Sequence, residues 1–363
     1  MKQFRFLGMA LCICLASLSS CSDDANMFVN KGSNKDITNA TCPDFVAQLT
    51  PKQEKNFRDS GSVFLPDQQK DSWNTTIDKD VPAKWGVFTS PLKNQTRAVG
   101  IWGSYPAQYW SMIRVKVGNL DPNILDALNE AVEEIENETN VRFYNSQKDP
   151  EYYEPYHIKL PNVYVKYANN NDAEGTGSFG LVGGEQFINV PKILASSSVT
   201  DSARTRFFLH ALCNAAGMFN EQQRKDRDDY VVVNLDNVKD NCKSLFDKQT
   251  KNYTMNGNFD FYSITLASST SYSKNGQKTI VRKGGASIAL QYHLSPLDIY
   301  FLNLHYLPYI GRTDNYVELD SKVYQNGKLL TEQERLNLQN SINEQRGLYG
   351  EPPASGRIER KPW

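Results

Sequence analysis

The sequence predicts an α+β domain, and three observations carry that expectation. Asp121-Pro122 opens a run in which Ile124, Leu128, Val132 and Ile135 recur at three- and four-residue spacing, the apolar stripe of a helix packed on a core. Asn162-Val163-Tyr164-Val165-Lys166-Tyr167 alternates as a strand, and Phe187-Ile188-Asn189-Val190 reads as another. A second helix is expected from about Asp201 to Ala216, capped by Thr200 or Asp201 and stopped by Gly217.

The remaining elements follow along the chain. Met1-Lys2-Gln3-Phe4-Arg5 is a basic start, and Phe6 to Ser20 is an apolar run too short to span a bilayer, so residues 1–20 read as a signal peptide. Leu18-Ser19-Ser20-Cys21 resembles a bacterial lipobox, which implies lipidation at Cys21 and a membrane anchor; Ser22-Asp23-Asp24 resembles the export signal of surface lipoproteins of the outer membrane. Residues 21–96 are polar and read as a tether or pro-like spacer. The first helix ends near Glu138, and a strand is expected to begin about Val141-Arg142-Phe143. Gly175 to Gly180 is a glycine-rich turn leading to an edge strand. A last domain helix follows Ser295-Pro296 and runs through Tyr306. Residues 311–363 form an extension whose Thr331-x-x-Glu334 capping box opens one more helix.

Composition excludes some classes. With 40 basic and 41 acidic side chains and no basic stripe, nucleic acid is not an expected partner. Beyond Cys21 the exported chain keeps Cys42, Cys213 and Cys242, which permits at most one disulfide; Cys213 is expected to be buried or bridged, Cys242 being one candidate partner.

The functional signal is the run His210-Ala211-Leu212-Cys213-Asn214-Ala215-Ala216-Gly217-Met218-Phe219-Asn220. It has the register of H-E-x-x-H-x-x-G-x-x-H, with the first His and the Gly kept, Ala211 for the Glu, and Asn214 and Asn220 for the later His. The following Glu221 to Val231, with Arg224, Asp226, Arg227, Asp228 and Tyr230, resembles the continuation found in the astacin family of metzincin zinc endopeptidases. Phe259 to Ile280 resembles that family's Met-turn segment, with Thr265 at the Met position and Ala267 at the position of the Tyr that completes its metal site. Leu294-Ser295-Pro296-Leu297-Asp298-Ile299 resembles its closing block.

The resemblance covers roughly Arg97 to Ile310. It implies a two-lobed fold: a mixed twisted sheet, two long helices and a cleft between lobes. It also implies a structural network of Gly217, Glu221, Arg224, Asp226, Arg227, Asp228 and Tyr230. The edge strand that would hold an extended peptide is expected at Phe179, Gly180, Leu181, Val182, Gly183 and Gly184.

Ligand arithmetic then sets the chemical expectation. A catalytic zinc needs three protein ligands and an open position, and active family members use zinc. Here His210 is the one imidazole in the motif, and Asn amides are poor zinc donors. Ala211 cannot take the proton from a metal-bound water. No cofactor and no catalytic residue are therefore expected, with His210 at most a metal contact. The chain reads as a non-catalytic binding module for an extended peptide or an extracellular protein or glycoprotein.

Three alternatives stand beside this. One is an active peptidase in which His210, Asn214, Asn220 and Glu221 hold another divalent ion. Another is a structural subunit of a surface complex that docks through its extension. The third, a His210–Cys213 nucleophilic pair, is less favoured than a buried thiol. Gly175-x-Gly177-x-x-Gly180 lacks the helix that a dinucleotide loop requires.

Overall fold

The computed structural model describes residues 42–52, 54–55, 87–89, 108–110, 112–153, 158–159, 162–169, 174–180, 185–250, 255 and 257–358. The expected signal peptide, Cys21 and positions 181–184 lie outside the described residues. Among those described, no helix is long and apolar enough to cross a membrane.

Six strands make the main sheet: β1 (Phe45–Gln48), β2 (Ile113–Val117), β3 (Phe143–Asn145), β4 (Asn162–Tyr167), β5 (Gly175–Ser178) and β6 (Glu185–Val190). Their spatial order is β1-β5-β6-β4-β2-β3. All neighbouring pairs are parallel except β5 and β6, which run antiparallel, so the sheet is mixed. Two helices cover it. Helix α1 (Pro122–Glu138) buries Ile124, Ala127, Leu128, Ala131 and Ile135. Helix α2 (Asp201–Ala215) buries nearly every residue from Ala203 onward, which is why its sequence shows little amphipathic contrast. Thr200 caps α2, its hydroxyl accepting from the Ala203 N–H at 3.3 Å. Both helices lie within a residue or two of the spans that their caps and apolar spacing predict.

The second lobe begins at Gly217, whose φ of +101° lets the chain turn off the end of α2. It is mostly short 3-10 turns with one antiparallel pair, β7 (Val231–Val233) and β8 (Ile280–Arg282). Val231, Val238, Leu245, Phe246, Leu266 and Ile280 form its core. Helix α3 (Pro296–His305) then returns Phe301, Leu302 and Tyr306 to the core under the sheet. It starts where Ser295-Pro296 predicts, in a capping box: the Ser295 hydroxyl accepts from the Asp298 N–H at 2.9 Å, and the Asp298 carboxylate accepts from the Ser295 N–H at 3.0 Å.

Two stretches outside the family-like span also enter the fold. The spacer read at residues 21–96 supplies β1, because Phe45, Val46 and Ala47 are an apolar run that finds a sheet edge and is buried there. The extension supplies a third apolar cluster, in which Val317, Leu319, Val323, Leu338 and Ile342 pack with Met112, Tyr144, Leu307 and Tyr309. Its helix α4 (Glu332–Gln345) carries the Thr331/Glu334 capping box.

Candidate functional site

The site is built on the last two turns of α2. His210 and Asn214, four residues apart, project from one helix face, and Gly217 lets the chain swing back so that Asn220 meets them. His210 Nε2 and Asn220 Oδ1 are 2.9 Å apart; the amide oxygen fixes the ring as donor there, which places the proton on Nε2. Asn220 Oδ1 also accepts from Asn214 Nδ2 at 3.3 Å, and Asn214 Nδ2 donates to the Met218 carbonyl at 2.8 Å. All three side chains are buried. Their second atoms, His210 Nδ1, Asn214 Oδ1 and Asn220 Nδ2, have no hydrogen-bond partner. Burial, reinforced by the Arg206 cation and opposed by the Asn220 bond, holds His210 down at about 3, so the ring is neutral at physiological pH. Ala211 beside it is fully buried and carries no proton-transfer group.

The floor of the site holds the other vestigial positions. Thr265 Oγ1 lies 2.9 Å from Ser263 Oγ and donates to the Phe219 carbonyl at 3.3 Å. The Ala267 N–H donates to Gln222 Oε1 at 3.0 Å. Glu221 points away from His210: its Oε1 accepts from the Asp260 N–H at 2.8 Å and stands 3.5 Å from Arg224 Nη1. Burial pushes the Glu221 carboxyl up to about 8, against the pull of Arg224 and the Asp260 N–H. Arg224 grips Asp226 with two bonds, at 2.9 and 2.8 Å, and donates to the Gly257 carbonyl at 2.7 Å. Arg227 pairs with Asp228 at 3.0 Å and donates to the Gln222 and Phe246 carbonyls, while Lys248 holds Asp228 from the far side at 2.6 Å. Tyr230 stacks on Phe259 with centroids 5.3 Å apart. These charges tie the second lobe together.

Cys42, Cys213 and Cys242 are free thiols. No bridge links Cys213 to Cys242, because each is buried in the core of a different lobe. Burial, with Asp298 and Glu134 nearby, pushes the Cys213 thiol well above its ordinary range, which leaves no thiolate for a His210–Cys213 pair.

Of the peptide edge expected at Phe179 to Gly184, Phe179 and Gly180 alone lie among the described residues, and a strand precedes them. The strand is Gly175–Ser178, the segment read as a glycine turn; Phe179 and Gly180 lie just past its end, where Phe179 packs on Phe219 and Gly180, at φ +56°, donates to the Asn214 carbonyl at 2.9 Å. The outer side of this strand is already paired, in parallel, by β1, with Phe45 opposite Gly175 and Ala47 opposite Gly177. Phe45 lies 5.8 Å from the His210 ring. Asp44, Phe45 and Tyr272 are the site residues that the sequence reading missed. The apolar triplet after Pro43-Asp44, set in polar surroundings, was the signal for β1.

Comparison with known proteins bears on this geometry. Residues 103–307 match the model of the astacin peptidase family, which is more than half of the chain. The chain belongs to the astacin family. Zinc metalloproteinase nas-6 of Caenorhabditis elegans is 29% identical over 194 residues, covering 51% of this chain and 49% of that protein. Zinc metalloproteinase nas-14 of the same animal is 29% identical over 219 residues, covering 58% and 39%. The chain thus spans about half the length of these curated relatives, or less. Among solved structures, high choriolytic enzyme 1, a hatching-enzyme zinc-protease from Oryzias latipes, is similar at 19% identity and a TM-score of 0.43, covering 53% of this chain and 88% of that one.

Membership corrects one expectation. The sequence reading foresaw no cofactor, but the matched family and these relatives are zinc metalloproteinases, so zinc is the cofactor that membership implies. The residues present do not fit it as a family site. One imidazole stands where three are needed, its Nε2 is bonded to Asn220, and the other two donors are neutral amides bonded to each other. Among the described residues no group of three His, Cys, Asp or Glu side chains is placed to hold a metal.

Proposed function

We propose that this astacin-type domain holds an extended polypeptide segment along its sheet edge without cleaving it. The observation that carries the reading is Ala211, a buried methyl group where peptide hydrolysis in this frame requires a carboxylate. Loss of a general base alone costs on the order of 10²–10⁴ in rate. The closed His210–Asn220–Asn214 contact supports the reading further, since these side chains bond one another rather than open toward a reacting carbonyl. Strand β5 takes β1 as a parallel partner along its outer side, and strand pairing supplies binding that needs no chemistry. The Leu18-Ser19-Ser20-Cys21 lipobox supports a lipid-anchored position at the bacterial cell surface, where the segment held would come from the chain itself or from an extracellular protein.

The test is an endpoint digestion of casein and of a mixed peptide library by the purified full chain supplied with stoichiometric zinc. No cleavage above a zinc-only control is expected. Cleavage that a chelator abolishes would overturn the reading.

A further inference from the structure

We propose that the cleft selects its occupant by sequence: its ligand class is an extended peptide carrying an Asp-Phe pair followed by an aliphatic and a small residue, laid parallel to β5. This rests on the strand-holding reading above and adds the chemistry of the segment held.

The occupant present is the chain's own Asp44-Phe45-Val46-Ala47, and each of these residues meets a matched surface. The Asp44 carboxylate accepts the Tyr272 N–H at 2.7 Å, and its carbonyl accepts the Gly175 N–H at 2.9 Å. Phe45 sinks into a floor that only glycine leaves open. A Cβ on Gly177 would collide with the Phe45 ring, and one on Gly175 would collide with Phe207, the ring that meets Phe45 edge-on at 5.5 Å. Val46 turns the other way and joins the lower-lobe core with Val231, Val238 and Phe246. Ala47 stands opposite Gly177 across the strand pair.

Tyr272 makes this reading specific. Its hydroxyl donates to the Phe45 carbonyl at 2.8 Å while its own N–H holds Asp44, so one residue contacts both members of the pair. To do so it sits at φ +59°, a backbone region that residues with a Cβ rarely adopt. Main-chain pairing alone would accept almost any strand. The carboxylate contact, the glycine floor and the divergence of Phe45 and Val46 into two cores would not. Because the native segment is tethered, it competes at a high effective concentration, and a free peptide gains the site only when that segment is weakened.

The experiment uses the full chain with Phe45→Ala and a labelled peptide of the sequence Pro43 to Leu49, followed by fluorescence anisotropy. Saturable binding is expected, at least about tenfold weaker for peptides with Asp44→Asn, with Phe45→Ala or with reversed sequence, since each loses a charged hydrogen bond, a buried ring or the chain direction. If Phe45→Ala does not fold, the milder Asp44→Asn chain takes its place, with the same peptides. Equal affinity for all four peptides, or none for any, would overturn the proposal. Cleavage of the peptide would instead overturn the non-hydrolytic reading and leave the Asp-Phe selectivity standing, so the two failures are distinguishable.

Discussion

Single side chains decide the chemistry of this domain, and most of those decisions are local enough to read in the sequence. Ala211, Asn214 and Asn220 are fixed by register from His210, so their convergence follows from helical spacing and one glycine. What register could not give was the direction of Glu221, which turns to Asp260 and Arg224 through contacts that include one made tens of residues away. Nor could it give the backbone of Tyr272, since nothing in a tyrosine announces a positive φ. Two expectations belong at this scale. Tyr272→Phe removes the bond to the Phe45 carbonyl and is expected to lower stability by about 1 kcal/mol, read in a denaturant melt. Asn214→His with Asn220→His replaces two amides by imidazoles around His210; equilibrium dialysis against zinc is expected to show tighter retention than in the native chain, and unchanged retention would refute the donor argument.

At the scale of elements, legibility follows whether an element's signals are contained within it. Helices α1, α2 and α3 announce their ends through caps, prolines and Gly217, and their spans fall where those residues put them. Strand β1 carries only the apolar triplet after Pro43-Asp44: four residues long, it is defined by pairing with Gly175–Ser178, well over a hundred residues distant. Strand β5 was read as a turn for a related reason. Glycines at 175 and 177 read as a turn, yet they are there so that Phe45 and Phe207 can approach the sheet. Gly177→Ala is therefore expected to destabilise by roughly 1–3 kcal/mol and to raise amide exchange in β1 selectively. Exchange rising uniformly across the sheet would mean that the alanine is felt as general strain rather than at β1. The extension was legible in its one capped helix but not in its docking, because Leu338 and Ile342 pack with Met112, Tyr144, Leu307 and Tyr309 from other parts of the chain as well as with Val317 and Leu319. Truncation after Ile310 bares Met112, Leu307 and Tyr309, and light scattering is expected to show aggregation of the shortened chain.

For the folded unit as a whole, burial of ionisable groups in both directions sets a pH window. His210 and His305 are held at about 3 by burial, so the folded state leaves both neutral where an unfolded chain would bind protons below its ordinary value near 6.5. Their depressed values make stability fall as pH drops from about 6.5 toward 3. Glu221 is the opposite case. Burial raises it to about 8, so the folded chain retains a proton that the unfolded chain releases above about 4.3, and stability falls as pH rises from there to about 8. Asp298, raised to about 7 by burial and by Asp260, acts in the same direction over most of that range. Between about 4.3 and 6.5 the two histidines and the two carboxyls oppose each other, and their contributions are expected to nearly cancel. Of these four groups the carboxyls act above that interval and the histidines below it, so their joint contribution to melting temperature falls on both sides. Glu221→Gln isolates one limb. It is expected to flatten the decline between about 6.5 and 8 by roughly one proton's worth of slope while leaving the acid limb in place. A variant whose alkaline limb matches that of the native chain would show that Arg224 keeps Glu221 ionised in the fold and that the decline has another source.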